Sequence, residues 1–581
     1  MRTLQGTGAS SGIAVGPARL LPPPLHIEER RIDTDRVVDE LERFEAAIAS
    51  TDSAMEEIGQ ATTAPSEVGT DLVDTHRAIL NSDEIVHEAR TLIRERSVGA
   101  EWAVRLVVDE LRTVFAAMKD ERFAARFEDV EAVANRLLRT LLSLPEIQLE
   151  ANLAGGIGVA LELSPLDALQ LHRLGLVGFA TERGGPTSHG AIVARTLGIP
   201  YVFGVDRLLG AVHAGDVVCL DGARGDVIVR PSGDSERAFA ARRDADAARR
   251  QAVAATQHEP AVTRDGVVIA IGANVESPAD VVAAVAAGAD HIGLVRTELL
   301  YLDRREMPSE AEQLADALEM LRAADGRRVT FRTLDLGGDK LPLAVRIAVG
   351  PNPALGVRGI RFSLRRPDLF RTQLRALYRA AASGPLRIMF PLVSHAAEVD
   401  AARRLCREVC AELAKEGLPH DAGVPVGAMI ETPSAALTAD HLAEVCDFLS
   451  IGTNDLIQYT FAADRQNEEM ASLYRPQHPA LLRLLRQILD GAARFDRDVS
   501  LCGDMAADPR YTWLLIGLGL RSLSMPAREL PFVRSVVRKT ELGEAQALAQ
   551  AALVLHSDLE VDALTQARMA DRFTLEIDRR A

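Results

Sequence analysis

One histidine in this sequence stands where an imidazole can take up a phosphoryl group. The stretch GGPTSHGAIVART, residues 184–196, places two glycines ahead of Thr187 and Ser188, and these ahead of His189. Glycines permit a tight, exposed loop, and a Thr or Ser side chain can cap the helix that follows. His189 then falls in the first helical turn, where unpaired backbone N–H groups and the helix dipole favour negative charge. A second set of polar residues lies further along: Arg296, Glu298, Arg332, Asp335, Glu431, Asn454, Asp455 and Cys502. Each comes at or just after the end of an apolar, β-like run. The arginines present planar forks suited to carboxylate and phosphate.

That phase identifies the elements that position the second set. From Val267 onward the runs VVIAIGANV, HIGLVRTEL, RVTFRTLDLG, LRIMFPLVS, PVGAMIETP, FLSIGTNDL, DVSLCGDMA and SLSMPA alternate with helical stretches. Eight βα units predict a (β/α)8 barrel over residues 261–581, and such barrels carry their chemistry at the C-terminal ends of the strands. The region around His189 has shorter β-type runs and Gly-rich turns, which predict a compact α/β domain over residues 146–231. The strand-like GIAVGPARLL within residues 1–30 is expected to return to the same sheet. Between them, residues 31–145 show apolar stripes such as Val37, Leu41, Phe44, Ile48, Met55 and Ile58, and a second stripe of Trp102, Leu106, Leu111, Phe115 and Met118. These predict an inserted helical bundle. An Ala/Arg/Asp tract over residues 232–260 reads as a linker helix. The expected fold class is therefore multidomain α/β, with an N-terminal α/β domain interrupted by a helical bundle and a C-terminal TIM-like barrel.

Composition bounds the rest. A chain of 581 residues, 47% apolar and 26% charged, has the apolar content of a folded multidomain protein and not of a disordered one. No uninterrupted apolar run reaches membrane-spanning length, and MRTLQGTGASSG lacks the apolar core of a signal peptide, so a cytoplasmic location is expected. Five cysteines, irregularly spaced, suit neither a disulfide framework nor a zinc site, and Cys406 and Cys410 read as packing on one helix face. The net charge of −17 argues against nucleic acid as a partner. Residues 31–145 alone carry −10 of it, which is either a solvated bundle surface or a docking face for a basic protein. Only four of the 66 basic residues are lysine, an excess of arginine that reads as mainly compositional.

GGPTSHGAIVAR resembles the phosphohistidine signature of the phosphoenolpyruvate-utilising enzymes, shared by Enzyme I of the sugar phosphotransferase system and the pyruvate phosphate dikinases. GLVRTELL, RTLDLGGDK, NPALGVRGIR, RIMFPLV, ETPSAA, SIGTNDLIQYTFAADR and LCGDMA are similar to phosphoenolpyruvate-site segments of the same family. Length and the helical insertion fit the Enzyme I branch, since a dikinase needs a further ATP-binding domain. The resemblance implies that His189 is the phosphoryl acceptor. It assigns Arg296, Arg332, Arg358 and Arg465, with Asn454 and Asp455, to phosphoenolpyruvate, and Glu431 and Asp455 to Mg2+. Cys502 becomes the residue that protonates the enolate, so that pyruvate leaves. It further implies transfer to the phosphocarrier protein HPr, docking on the helical bundle, a homodimer through the barrel, and a swivel of the phosphohistidine domain about the linker. Chemistry agrees with these roles: arginine forks neutralise phosphate and carboxylate, Mg2+ takes one or two carboxylates, and a thiol is largely protonated near neutral pH. Two departures stand out. Asp504 occupies a position where many relatives have Glu, and Ala168 one where some have Thr. His76, in the region similar to the HPr-binding segment, reads as structural or as a partner contact. The rival readings are an enzyme of the dikinase or synthase type and a phosphohistidine regulatory protein without turnover.

Overall fold

The computed structural model describes residues 1–10, 12–21, 25, 27–60, 67–117, 121–144, 153–185, 188–301, 307–336, 352–464, 470, 473–569, 572 and 573. Met118 and Arg465 lie outside the described residues, and of His189 the backbone is described but not the imidazole. The chain divides into two compact units, residues 1–248 and 249–579.

The first unit is built on one sheet. Its strands are β1 (Arg2–Gln5), β2 (Thr7–Ser10), β3 (Ile13–Leu20), β4 (Ile157–Ala160), β5 (Gly178–Thr181), β6 (Tyr201–Phe203), β7 (Val217–Asp221) and β8 (Asp226–Val229), in the order β1-β8-β7-β3-β4-β5-β6-β2. GIAVGPARLL does return to this sheet: β3 pairs in parallel with β4, Ala18 opposite Ile157, and antiparallel with β7, Val15 opposite Cys219. The two edge strands β1 and β2 were not expected from the sequence. Their residues, RTLQ and TGAS, are polar and mostly exposed, so they carry no apolar run and owe their conformation to pairing with β8 and β6. The helix Pro165–Arg173 was likewise not anticipated; it is capped by Ser164, whose hydroxyl accepts from the Asp167 N–H at 3.1 Å.

Between β3 and β4 the described residues form the helices Val37–Gln60, Glu67–Leu80, Asp83–Arg96, Ala100–Ala117 and Glu121–Leu141. Phe44, Ile48 and Met55 from the expected stripe are buried against Ile93, Val104 and Leu137 of the other helices. His76 is fully buried, its Nε2 3.3 Å from Asp129 Oδ1, and so ties the second helix to the fifth. Among the two readings of His76, the structural one holds. The tract after β8 forms the helix Gly233–Ala254.

In the second unit β9 (Ala270–Val275), β10 (His291–Val295), β11 (Val329–Arg332), β12 (Leu386–Phe390), β13 (Val426–Ile430), β14 (Phe448–Ile451), β15 (Asp498–Leu501) and β16 (Ser522–Met525) close into a barrel, with β16 pairing β9. All neighbours pair in parallel, so both faces of the sheet are covered and the strands read as near-continuous apolar runs. Cys406 is buried and Cys410 half-buried on the outer helix Ala396–Glu416, which is the packing role expected of them. No helix among the described residues is long and apolar enough to cross a membrane.

The barrel floor holds a buried imidazole. His291 opens β10, is 5% exposed, and lies 3.4 Å from Ser522 Oγ through its Nε2. Burial, and then the charges of Arg328 and Arg387, push its pKa down to about 3. An unfolded chain takes up this proton near pH 6.5, whereas the folded ring stays neutral until far lower pH. Folding stability is therefore lost as pH falls through that interval. Between pH 6.5 and 4, urea titrations should show the wild type losing roughly 3 kcal/mol more stability than His291→Gln. Parallel losses in the two proteins would refute this assignment.

Candidate active site

The strand ends of the barrel gather charge in a small space. Arg332 is the last residue of β11, and its guanidinium lies 3.0 Å from Glu298 Oε1 and 3.1 Å from Asp335 Oδ2. Arg358 bridges two carboxylates through one nitrogen: Nη2 is 2.9 Å from Asp335 Oδ2 and 3.3 Å from Asp455 Oδ2. Its Nη1 donates to Tyr459 Oη at 3.3 Å, and Tyr459 in turn donates to the Ala354 carbonyl at 2.6 Å. Glu431 follows directly on β13 and is buried, with Oε1 accepting from the Leu392 N–H at 2.5 Å. Burial first, then the Asp455 and Asp335 carboxylates, push the Glu431 carboxyl well above the ordinary carboxylate range. Burial opposes the charge on Arg332 and Arg358, but the surrounding carboxylates outweigh it and hold both guanidiniums firmly protonated.

Asp335, Glu431 and Asp455 can each offer an oxygen within 4.8 Å of the others, a set that can hold a metal ion. Three carboxylates with no nitrogen or sulfur donor suit a hard divalent cation. Charge agrees, because among the described residues the carboxylates of Glu298, Asp335, Glu431 and Asp455 outnumber the guanidiniums of Arg332 and Arg358. A cation held by these carboxylates would compete with Arg358 for Asp335 and Asp455. Arg332 already has a donor to spare: its buried Nε has no hydrogen-bond partner among the described residues.

Cys502 stands at the end of β15, 4% exposed among Leu294, Met389, Met429 and Phe448. Its Sγ accepts from Ser450 Oγ at 3.4 Å and donates to the Ile451 carbonyl at 3.6 Å. Burial pushes the thiol up; the Ser450 hydrogen bond works against that, Glu431 reinforces it, and Arg332 and Arg296 oppose it. The net effect keeps the sulfur protonated at neutral pH, as a proton donor requires. Asn454 Oδ1 accepts from the Asp504 N–H at 2.8 Å, which fastens the loop after β15 to the helix Thr453–Phe461. Gly503 is needed at that crossing, since a Cβ there would lie 1.9 Å from Thr453 Oγ1. The carboxylate of Asp504 is exposed and its backbone holds the loop, so the shorter side chain at this position leaves the tie to Asn454 intact.

The structure thus brings together Arg332, Arg358, Glu431, Asn454, Asp455 and Cys502. Arg296 follows β10 but extends to Glu276, 2.9 Å away, at the half-exposed margin. Asp335 was seen at a strand end but not expected as a ligand, and Tyr459 was not singled out. Their positions were legible in part: Asp335 lies three residues beyond Arg332, and Tyr459 one helical turn beyond Asp455. In the first unit Ser188 caps the helix His189–Thr196, accepting from the Ala191 N–H at 3.3 Å, so His189 does open a helix. Ala168 is fully buried in the same apolar core as Ala191.

A barrel whose strand ends present buried arginines beside a cluster of carboxylates can hold a small anionic ligand together with a cation. Known proteins agree. The family description "PEP-utilising enzyme, PEP-binding domain" matches residues 250–542, "PEP-utilising enzyme, N-terminal" residues 5–126, and "PEP-utilising enzyme, mobile domain" residues 153–225. The phosphoenolpyruvate-protein phosphotransferase of Bacillus sp. (strain S) is 39% identical over 563 residues, covering 96% of this chain and 97% of the relative. Those of Bacillus subtilis and Cupriavidus necator are 38% and 39% identical, covering 97% and 92% of this chain and 99% and 94% of the relatives. The chain belongs to the phosphoenolpyruvate-protein phosphotransferase family.

Two tests address the geometry directly. Asp335→Asn should weaken binding of Mn2+, a spectroscopic probe for a hard divalent ion, by roughly ten-fold or more in an electron paramagnetic resonance titration. Undiminished binding would remove Asp335 from the site. At the histidine helix, a Cβ on Gly190 would lie 2.2 Å from the Leu163 carbonyl oxygen, while one on Gly185 meets open space. Gly190→Ala should therefore lower the unfolding midpoint by several degrees, and Gly185→Ala should leave it nearly unchanged in the same calorimetric scan.

Proposed function

We propose that this enzyme transfers the phosphoryl group of phosphoenolpyruvate to His189, releases pyruvate, and passes the group on to a histidine of the phosphocarrier protein HPr. The observation that carries the reading is the buried guanidinium–carboxylate cluster at the barrel mouth, set beside a protonated thiol. Arg332 and Arg358, with Arg296 and Arg465, neutralise the substrate's phosphate and carboxylate; the spare Nε of Arg332 supports that role. Glu431 and Asp455, joined by Asp335, would hold Mg2+, which when bound neutralises charge on the transferring group. The Asn454 side-chain oxygen keeps the Cys502 loop in place. Once the phosphorus–oxygen bond breaks, Cys502 donates its proton to the methylene carbon of the enolate, and pyruvate is complete. The helix N-terminus at His189, capped by Ser188, favours the negative charge that arrives there.

The acceptor histidine belongs to the first unit and the arginine cluster to the second, so the transfer requires the two to meet. We place the phosphohistidine domain at residues 1–30 and 146–231, the HPr-docking bundle at 31–145, the hinge at the linker of 232–260, and the phosphoenolpyruvate barrel at 261–581. The −10 charge of the bundle suits a basic partner. A cytoplasmic homodimer joined through the barrel completes the reading by family resemblance. In an assay with labelled phosphoenolpyruvate and Mg2+, His189→Ala should abolish label on the protein, and label retained elsewhere would overturn the acceptor assignment. Cys502→Ala should slow pyruvate formation about 100-fold or more.

A further inference from the structure

If Cys502 gives up its proton in every turnover, that proton has to be replaced. Substrate or product covers the thiol from the mouth of the barrel, and on its other sides Leu294, Met389, Met429 and Phe448 offer nothing that ionises. The polar side chain that touches the sulfur is Ser450, which is fully buried and donates to Sγ at 3.4 Å. Ser450 in turn receives a hydrogen bond from Ser500 Oγ at 3.0 Å. The donors are therefore aligned in one direction, from Ser500 to Ser450 to Cys502, and the thiol itself donates onward to the Ile451 carbonyl. On a β-strand, residues two apart share a face, so β15 presents Asp498, Ser500 and Cys502 in series from its N-terminal end. Ser500 is half-buried, and the Asp498 side chain is 75% exposed at the floor of the barrel.

We propose that Ser500 and Ser450 form a proton relay that recharges the Cys502 thiol from the barrel floor, on the opposite side from the substrate. The relay rests on the reading of Cys502 as the proton donor. In the first step the S–H bond breaks and a C–H bond forms at the enolate methylene, leaving a thiolate with the charge the enolate held. In the second, the Ser450 O–H proton moves to sulfur while Ser500 gives its proton to the Ser450 oxygen, and Ser500 is refilled from water. One solvent proton is taken up for each pyruvate released. A hydroxyl both donates and accepts, so neither serine needs to ionise in isolation. Before recharging, the Ser450 O–H also stabilises the thiolate, since a hydrogen bond to a charged acceptor is stronger than one to a neutral acceptor.

The test follows the donated proton itself. Enzyme equilibrated in H2O with saturating pyruvate is diluted into D2O holding the same pyruvate for increasing times, then mixed with excess 13C-labelled phosphoenolpyruvate and Mg2+ and quenched after one turnover. Mass spectrometry of the pyruvate methyl group separates CH3 from CH2D, and the ageing time at which one replaces the other measures exchange of the Cys502 proton. Ser450→Ala and Ser500→Ala should each lengthen that time roughly ten-fold or more and lower kcat with little change in KM. Ser500→Ala, at a half-buried position, keeps the test valid if Ser450→Ala does not fold. Ageing curves identical to wild type would mean that the proton returns through the mouth, and would overturn the relay alone. Pyruvate formed by Cys502→Ala at the wild-type rate would instead remove Cys502 as the donor, and the relay with it.

Discussion

The buried contact between two guanidiniums and the carboxylates of Glu298, Asp335, Glu431 and Asp455 governs the second unit. Taking such charges out of water is costly, and each is tolerable only because the others are present. Asp335 shows the interdependence: its carboxylate meets both Arg332 and Arg358, and its backbone N–H donates to Glu298 at 2.9 Å. No single segment of chain could assemble this arrangement. Only a closed barrel brings the ends of β10, β11, β13 and β14 to one opening. The rest of the fold, from the apolar layer behind the sheet to the outer helices, holds those ends at distances where opposite charges balance.

A cluster so arranged is poised for exchange. Its carboxylates are only partly offset by the two guanidiniums in the free protein, so a cation held by Asp335, Glu431 and Asp455 would complete the balance and leave the guanidiniums available to an anion. Cys502 sits beside this polar ground yet is walled by apolar side chains, which hold its thiol protonated. The charged cluster and the apolar pocket of the thiol thus lie at the ends of strands of one barrel.

The barrel was legible because its strands are buried on both faces. Most therefore read as apolar runs, and the first polar residue after such a run marks the mouth, as Glu431 does after VGAMI. Arg332, Asp455 and Arg358 were found through motifs. Asp335 and Tyr459 were harder, since their roles depend on what Arg358 does across the barrel, and residue spacing within a segment does not report that. Ser450 was invisible for a related reason: a serine inside an apolar strand gives no signal until its partner on the next strand is known. The edge strands Arg2–Gln5 and Thr7–Ser10 escaped because edge strands with exposed polar residues take their form from neighbours and not from their own composition.

Parallel pairing of β3 with β4 has a consequence for how this protein can change. Two neighbouring parallel strands cannot be joined by a tight turn; the chain has to travel the length of the sheet before it re-enters. Here that return journey is the helical bundle. Its length can change without altering a strand register, but its inner face is tied to the sheet's own domain, because Leu166 and Leu169 of the helix Pro165–Arg173 are buried in the bundle core and Arg136 donates to Gln170 at 2.9 Å. The outer face of the bundle is thus housed in a detour the topology already demanded, and that face alone is released from the demands of the sheet.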